Sequence, residues 1–319
     1  MPYVFVLYTL KTRPSGRELA RRLVAALGTD KSAPEVSSGT FQVLAKKHEK
    51  PLFILNVGET SSEGLPVGVR VFNPPSKVAA SSNKRGCRIT FQKQGVPSPK
   101  LWLSASAIEA GEFPVVGRTT HHSKARGFWY CKNAKEAAKA EAAGATHFLK
   151  FIKNTLEFRV HLFSMSKTDE RSERGYRSVK LSQKVPRDDK VQHDAIIKNH
   201  DSGWVFNFTG GKSDEASIAR RAAKKALAAV GLDWGAVDVM VSKETKEAFV
   251  LEINSAPCLT DGLANTSEVY ASWVLHLTGL REKVLAPPAQ ILAPTKQPPP
   301  KPPAKPRKEI LQRVLSRLS

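Results

Sequence analysis

Apolar positions along the first 80 residues follow two periods. PYVFVLYTL is a short, nearly continuous apolar run, read as a first strand. In SGRELARRLVAALG, Leu19, Leu23 and Leu27 recur every four residues, Ser15 and Glu18 stand at capping-box spacing, and Gly28 supplies a stop, so a helix is predicted there. LFILNVG (52–58) and VGVRVFN (67–73) are β-rich runs bounded by glycine and proline. Residues 1 to about 80 are therefore expected to form a small α/β domain. A second helix is expected from about Ala80 through ASSNKRGCRITFQKQG, and VPSPKLWLS leads out of it extended, because its prolines disfavour helix.

The alternation resumes at FPVVGR (113–118), a predicted strand, followed by the basic loop TTHHSKARG and the alanine-rich helix NAKEAAKAEAAG ending at Gly144. In EFRVHLF the polar Glu157, Arg159 and His161 alternate with Phe158, Val160 and Leu162, the period of a half-buried strand with one wet or functional face. Residues 166–203 are charged and poorly patterned. The helix DEASIARRAAKKALAAVG follows, and then two more β-rich runs, AVDVMVS and EAFVLEIN, joined by polar SKETKE. Nine prolines between 287 and 307, interspersed with lysines, cannot form a core and predict an extended linker. It ends in KEILQRVLSRL, where Ile310, Leu311, Val314, Leu315 and Leu318 could share one face of a short basic amphipathic helix that docks a partner or packs back. The expected division is 1–78, 79–286, 287–307 and 308–319.

Composition narrows the class. The chain has 319 residues, 41% hydrophobic and 25% charged, as in a globular protein, and no apolar run reaches the roughly 20 residues of a membrane helix. PYVFVLYTL lacks a basic leader, which argues against a signal peptide. Cys87, Cys131 and Cys258 are too few and too scattered for a disulfide framework, so a reducing cytoplasm is the expected setting. A net charge of +21 favours polyanions or phosphorylated small molecules as partners without choosing among them.

Against that surplus, the acidic pair in WGAVDVMVSKETKEAFVLEINSAPCLTD (234–261) stands out. With the hairpin tip at Thr245, Asp238 falls opposite Glu252, and Asn254 lies on the same face two residues on. Phe249, Leu251 and Ile253 then point into the core, which pins the register. Two carboxylates about 5 Å apart repel by roughly 3 kcal/mol at an effective dielectric of 20. Something positive belongs between them. A hard, all-oxygen donor set suits Mg²⁺ shared with nucleotide phosphates; simple salt bridging to Lys or Arg is the alternative.

GLDWGAVDVMV followed by AFVLEINSAPCLTDG resembles the metal-binding end of the ATP-grasp superfamily, especially its glutamate-adding and phage-type carboxylate–amine ligases. FNPPSKVAASSNKRGCRITFQKQGVPSPKLW, FPVVGR and THFLKFIKNTLEFRVHLF follow the family's order, so the resemblance spans about residues 70–280, with residues 1–70 fitting its smaller preceding domain. It implies an α/β (α+β) ATP-grasp fold with a small N-terminal α/β domain, to which composition adds the expectation of a disordered, Pro-rich basic tail. It implies ATP and Mg²⁺ as cofactors, with Asp238, Glu252 and Asn254 as metal ligands and Arg159 facing the terminal phosphate and the acyl phosphate. Lys150, Phe151, Ile152 and Glu157 match the adenine-holding hinge and the strand behind it. Arg118 stands near the phosphates where most members have lysine. Lys124 and Arg126 belong to the lid, beside His121, His122 and Gly127, and Lys184 and Asn207 match basic or amide groups near ATP. The implied substrates are an amino acid or peptide, acidic if it matches the basic surface, and an amine. No membrane is expected, and the setting the resemblance implies is the cytoplasm of a bacterial or phage-infected cell. A nucleic-acid-binding protein on the same scaffold, and an inert relative, are the alternatives.

Three further motifs carry less. In GGKS (210–213) the first glycine of a phosphate-binding loop would fall at Phe206, so that motif is excluded. His121 and His122 have no third ligand at metal spacing. Arg220, Arg221, Lys224 and Lys225 fit a solvated helix face.

Overall fold

A computed structural model describes residues 3–28, 34–47, 49–120, 127–165, 175–189, 191, 196–198, 201–208, 211–259, 265–278 and 280. His121, His122, Lys124, Arg126 and the expected C-terminal linker and helix lie outside the described residues.

The first sheet is parallel, in the order β2 (Glu35–Gly39), β1 (Tyr3–Tyr8), β3 (Phe53–Val57), β4 (Arg70–Phe72). All six residues of β1 are buried because both faces are covered, which is why its apolar run is continuous. Val4, Val6 and Tyr8 pack with Leu19 and Leu23 of α1 (Arg13–Leu27), while Tyr3, Phe5 and Leu7 pack with Leu44 of α2 (Phe41–Ala45). α1 starts at Arg13, two residues before the expected cap. The Ser15 hydroxyl instead donates to Pro257 O and accepts from Leu259 N, both at 3.2 Å, and Glu18 binds Arg21, Arg22 and Ser267. Tertiary contacts have taken both side chains that the capping box would have used. Gly28, at φ 72°, closes the helix as expected.

The single helix expected from Ala80 is two, α3 (Pro75–Ser82) and α4 (Lys84–Lys93). Asn83 is extended at ψ 92° and its side chain accepts from Gly86 N at 2.9 Å, so one asparagine ends the first helix and caps the second. The second sheet is antiparallel, in the order β5 (Leu101–Trp102), β8 (His147–Lys150), β6 (Val115–Arg118), β7 (Phe128–Cys131), with α5 (Ala134–Ala142) laying Ala137 and Ala140 on Val115 and Phe148.

The third sheet is also antiparallel: β11 (Trp204–Asn207), β10 (Tyr176–Pro186), β9 (Thr155–Ser164), β12 (Trp234–Ser242), β13 (Ala248–Asn254). Its core face, with Phe158, Val160, Leu162, Leu181, Val237 and Val239, meets the alanine stripe of α6 (Asp214–Val230), whose small side chains permit a close approach. α7 (Thr266–Thr278) joins this sheet to the first one, since Tyr270, Trp273 and Val274 share a core with Phe163, Trp234 and Leu19. Among the described residues no helix is long and apolar enough to cross a membrane.

Candidate active site

The site is built on the face of the third sheet away from α6, and its geometry starts at a turn. Ser242 N bonds Glu247 O at 2.9 Å and Lys246 N returns to Ser242 O at 3.1 Å, with Lys246 at φ 58°. The pairing axis therefore runs between Glu244 and Thr245, half a residue from the expected tip. From such a turn a regular ladder would set Asp238 against Leu251. Instead the register shifts by one between Asp238 and Val239, a β-bulge that brings Glu252 opposite Asp238. The bulge also changes which side chains reach the core. Val250 and Ile253 are buried there, whereas Phe249 and Leu251 are only half-buried, contrary to expectation.

Register carries the site across four strands. Ser182 (β10), Arg159 (β9), Asp238 (β12) and Glu252 (β13) form one continuous row of cross-strand partners. The next row is Lys180, His161, Ala236 and Asn254. Phe206 of β11 faces Lys184, which binds Glu157 on β9. The polar face of β9 is thus largely buried, not wet: Glu157 and His161 are covered and Arg159 is partly exposed. Asn207 pairs with Gln183 and so alternates to the other side of β10 from Lys184.

Electrostatics follow from this crowding. Arg159 Nε and Nη2 donate to the two Asp238 oxygens at 2.8 and 2.9 Å, a bidentate fork whose side chains are 26% and 7% exposed. Burial works against the Arg159 charge, but the Asp238 carboxylate outweighs it and holds the guanidinium above its usual range. Glu252 lies 3.4 Å from Lys84 Nζ, and Asn254 Nδ2 is 3.4 Å from a Glu252 oxygen. Burial pushes the Glu157 carboxyl up despite Lys184. The Ser182 hydroxyl is buried without a hydrogen-bond partner among the described residues. Arg118, at the end of β6, is half-buried over the Phe128 ring; burial lowers its pKa and the Glu252 charge opposes that shift.

Other expected residues are placed differently. The Lys150 ammonium is directed to Glu112, reaching its backbone O at 2.6 Å and its carboxylate at 3.3 Å. Phe151 and Ile152 occupy the connection from β8 to β9, but Phe151 N–H already donates to Pro114 O at 3.2 Å, and its ring meets Tyr130 edge-on at 5.0 Å. Sequence reading missed Lys84, Arg88, Lys180 and Ser182. Lys84 and Arg88 on α4 reach β13 from more than 160 positions away. Lys180 and Ser182 lie in the stretch that showed no pattern.

His161 makes one property measurable. Its ring Nδ1 is 3.0 Å from Tyr270 OH, and burial, with the charges of Arg159 and Lys180, lowers its pKa to about 3. Between that value and the usual 6.5 the unfolded chain binds a proton there that the folded chain does not, so stability falls as pH drops below about 6.5. Chemical denaturation of the parent and of His161→Leu should therefore diverge below that pH by about 1.4 kcal/mol per unit, with a constant difference above it.

No protein-family model and no curated protein sequence matches the chain. Solved structures do. D-alanine–D-alanine ligase from Bacillus anthracis superposes with a TM-score of 0.60 at 14% identity, over 88% of this chain and 95% of that one. VanG D-Ala:D-Ser ligase from Enterococcus faecalis gives 0.59 at 11%, over 88% and 99%. The ATP-grasp ligase PsnB, solved with a phosphomimetic variant of its minimal precursor, Mg and ADP, gives 0.58 at 12%, over 87% and 99%. The chain has the ATP-grasp fold. At these identities the likeness is one of fold, and the chemistry of this chain rests on its own side chains.

Proposed function

We propose that this chain is an ATP- and Mg²⁺-dependent ligase that activates a carboxylate by phosphorylation and joins it to an amine. One observation carries the reading: the row Ser182–Arg159–Asp238–Glu252, with Asn254 two pairs further on the same face, sets two facing carboxylates beside a guanidinium and a buried hydroxyl that has no partner among the described residues. The carboxylates and the Asn254 amide oxygen suit a hard cation that keeps positions for phosphate and water. The Ser182 hydroxyl, with Lys180 and Lys184 on the same face of its strand, suits an anionic partner. Bound there, MgATP would supply the transferable phosphoryl group. Solved relatives of the same fold include a D-alanine–D-alanine ligase with ATP and PsnB with Mg and ADP.

In this reading Asp238, Glu252 and Asn254 hold the cation. Arg159 and Arg118 offset negative charge where the phosphoryl group moves, and Lys84 keeps Glu252 turned to the site. Phe151 and Ile152 flank the base, and Glu157 and Lys184 act as a linked pair beside it. Lys124 and Arg126 belong to the lid. Positioning and electrostatics would supply most of the catalysis. The charge of +21 supports an acidic amino acid or peptide as one substrate.

ADP release with Mg²⁺, ATP and a pool of amino acids tests the reading. Asp238→Ala with Glu252→Ala should lower the rate about 100-fold or more. The bidentate Asp238–Arg159 pair favours the competing reading of an inert salt bridge, and equal rates in parent and variant would establish it. Mass spectrometry of products formed with candidate amines identifies the acceptor. A nucleic-acid role on the same scaffold would appear as binding that weakens steeply with salt.

A further inference from the structure

Arg88 lies outside the catalytic row, yet its geometry acts on it. The side chain rises from α4 to the outer edge of β13 and is buried, at 8% exposure. Its two terminal nitrogens donate to the backbone oxygens of Val250 and Leu251. In a regular strand consecutive carbonyls point to opposite edges; one planar fork spans both here because the bulge turns them to the same side. Among the described residues Arg88 makes no salt bridge. Burial lowers its pKa to about 10, and Glu252 is the carboxylate that steadies its charge at longer range.

General anchoring of α4 does not need this arrangement. Cys87 and Phe91 already bury against the same core, Lys84 Nζ already binds Ile253 O at 3.2 Å, and Pro97 O accepts from Val250 N at 2.8 Å. Among the described residues Arg88 is the side chain that grips both carbonyls where the ladder slips by one. That slip decides whether Leu251 or Glu252 faces Asp238. We propose that Arg88 is a positioning residue: by holding both carbonyls of the bulge it keeps Glu252 opposite Asp238 and so sets the spacing of the two cation-binding carboxylates. Its consequence for the reaction rests on the ligase reading above; its hold on the register does not. Lysine is a poor substitute, because its compact, rotating ammonium lacks the planar fork that holds two carbonyls at a fixed spacing.

The test separates the two. In a chain with Cys258→Ser, the pair Asp238→Cys and Glu252→Cys reports the register through disulfide formation, since only directly facing side chains come close enough. Oxidation followed by peptide mass spectrometry should give rapid cross-linking with Arg88 present, and at least tenfold slower cross-linking with Arg88→Lys or Arg88→Met. If Arg88→Met fails to fold by circular dichroism, Arg88→Lys decides. Equal rates in the Arg88 and Arg88→Lys backgrounds overturn the proposal. In the otherwise native chain, Arg88→Lys should weaken Mn²⁺ binding in the presence of ADP by about 10- to 100-fold, the range for groups that orient metal ligands. A parent chain that binds no Mn²⁺ with ADP would remove the cation-site reading, and cross-linking would still decide whether Arg88 holds the bulge.

Discussion

ADP at a hundredfold excess over its dissociation constant, with Mg²⁺, should raise the thermal unfolding midpoint of this chain by about 4–5 °C, and Asp238→Asn should remove most of that rise. A ligand confined to the folded state stabilises it by about 2.7 kcal/mol at that excess, and at roughly 2.1 cal/mol/K of unfolding entropy per residue each kcal/mol is worth about 1.5–2 °C in a chain of this length. The dependence on Asp238 comes from the row it occupies. Its two oxygens are held by Arg159 at 2.8 and 2.9 Å, and Glu252 faces it from the next strand. Asp238 and Glu252 would together hold a divalent cation, which would relieve their repulsion and favour binding of the diphosphate. Asparagine keeps the size and one hydrogen bond to Arg159 while removing the charge that the cation needs. The variant also loses stability without ligand, because Arg159 loses its counter-charge, so the comparison is between the shifts and not between the midpoints. Differential scanning fluorimetry with ADP alone, ADP plus Mg²⁺ and ADP plus EDTA measures it. A shift that ignores Mg²⁺, or survives unchanged in Asp238→Asn, removes the cation from the site.

What could be read in advance depended on how far apart the interacting residues are. Asp238 and Glu252 are joined by one hairpin, so local alternation and a polar turn were enough to face them, although the pairing arises from an off-centre turn and a compensating bulge. The alternation of β9 was equally local. Its polar face was expected to be wet or functional, but sequence shows period and not cover, and the cover comes from distant parts of the chain: Tyr270 on His161, Lys184 on Glu157 and Phe206 over Arg159. β10 left no legible period because its register shifts between Ser178 and Lys180, so that Tyr176 and Leu181, five positions apart, reach the same core. With that strand went Lys180 and Ser182. Lys84 and Arg88 sit on a helix whose own spacing says nothing of a strand edge 162 to 169 positions on. Ser15 shows the opposite failure, a local capping signal overridden by the tertiary contacts of its hydroxyl with 257 and 259.

The last large effect concerns how the first sheet holds β12, and therefore Asp238, in place. Asn73, fully buried and at φ 56°, sits at the end of β4 against the start of β12. Its Oδ1 accepts from Asp233 N at 2.7 Å and Trp234 N at 3.1 Å, and its Nδ2 donates to Trp234 O at 3.1 Å. Its backbone N–H donates to Asp233 Oδ2 at 2.6 Å, and its carbonyl accepts from Asn56 Nδ2 at 2.8 Å. Alanine here would strand three buried backbone groups, each costing about 1–3 kcal/mol when unsatisfied, and would add strain of order 1 kcal/mol from the left-handed backbone that asparagine tolerates better. The expected loss in urea denaturation is at least about 3 kcal/mol. Asn73→Asp should lose as much, since it sets a second carboxylate beside Asp233 and removes the donor to Trp234 O. Asn73→Gly, which relieves the backbone strain but restores none of the side-chain bonds, separates the two contributions: it should recover only about 1 kcal/mol relative to alanine. Recovery of most of the loss by glycine would mean that the backbone conformation, and not the amide network, fixes the start of the strand that carries Asp238.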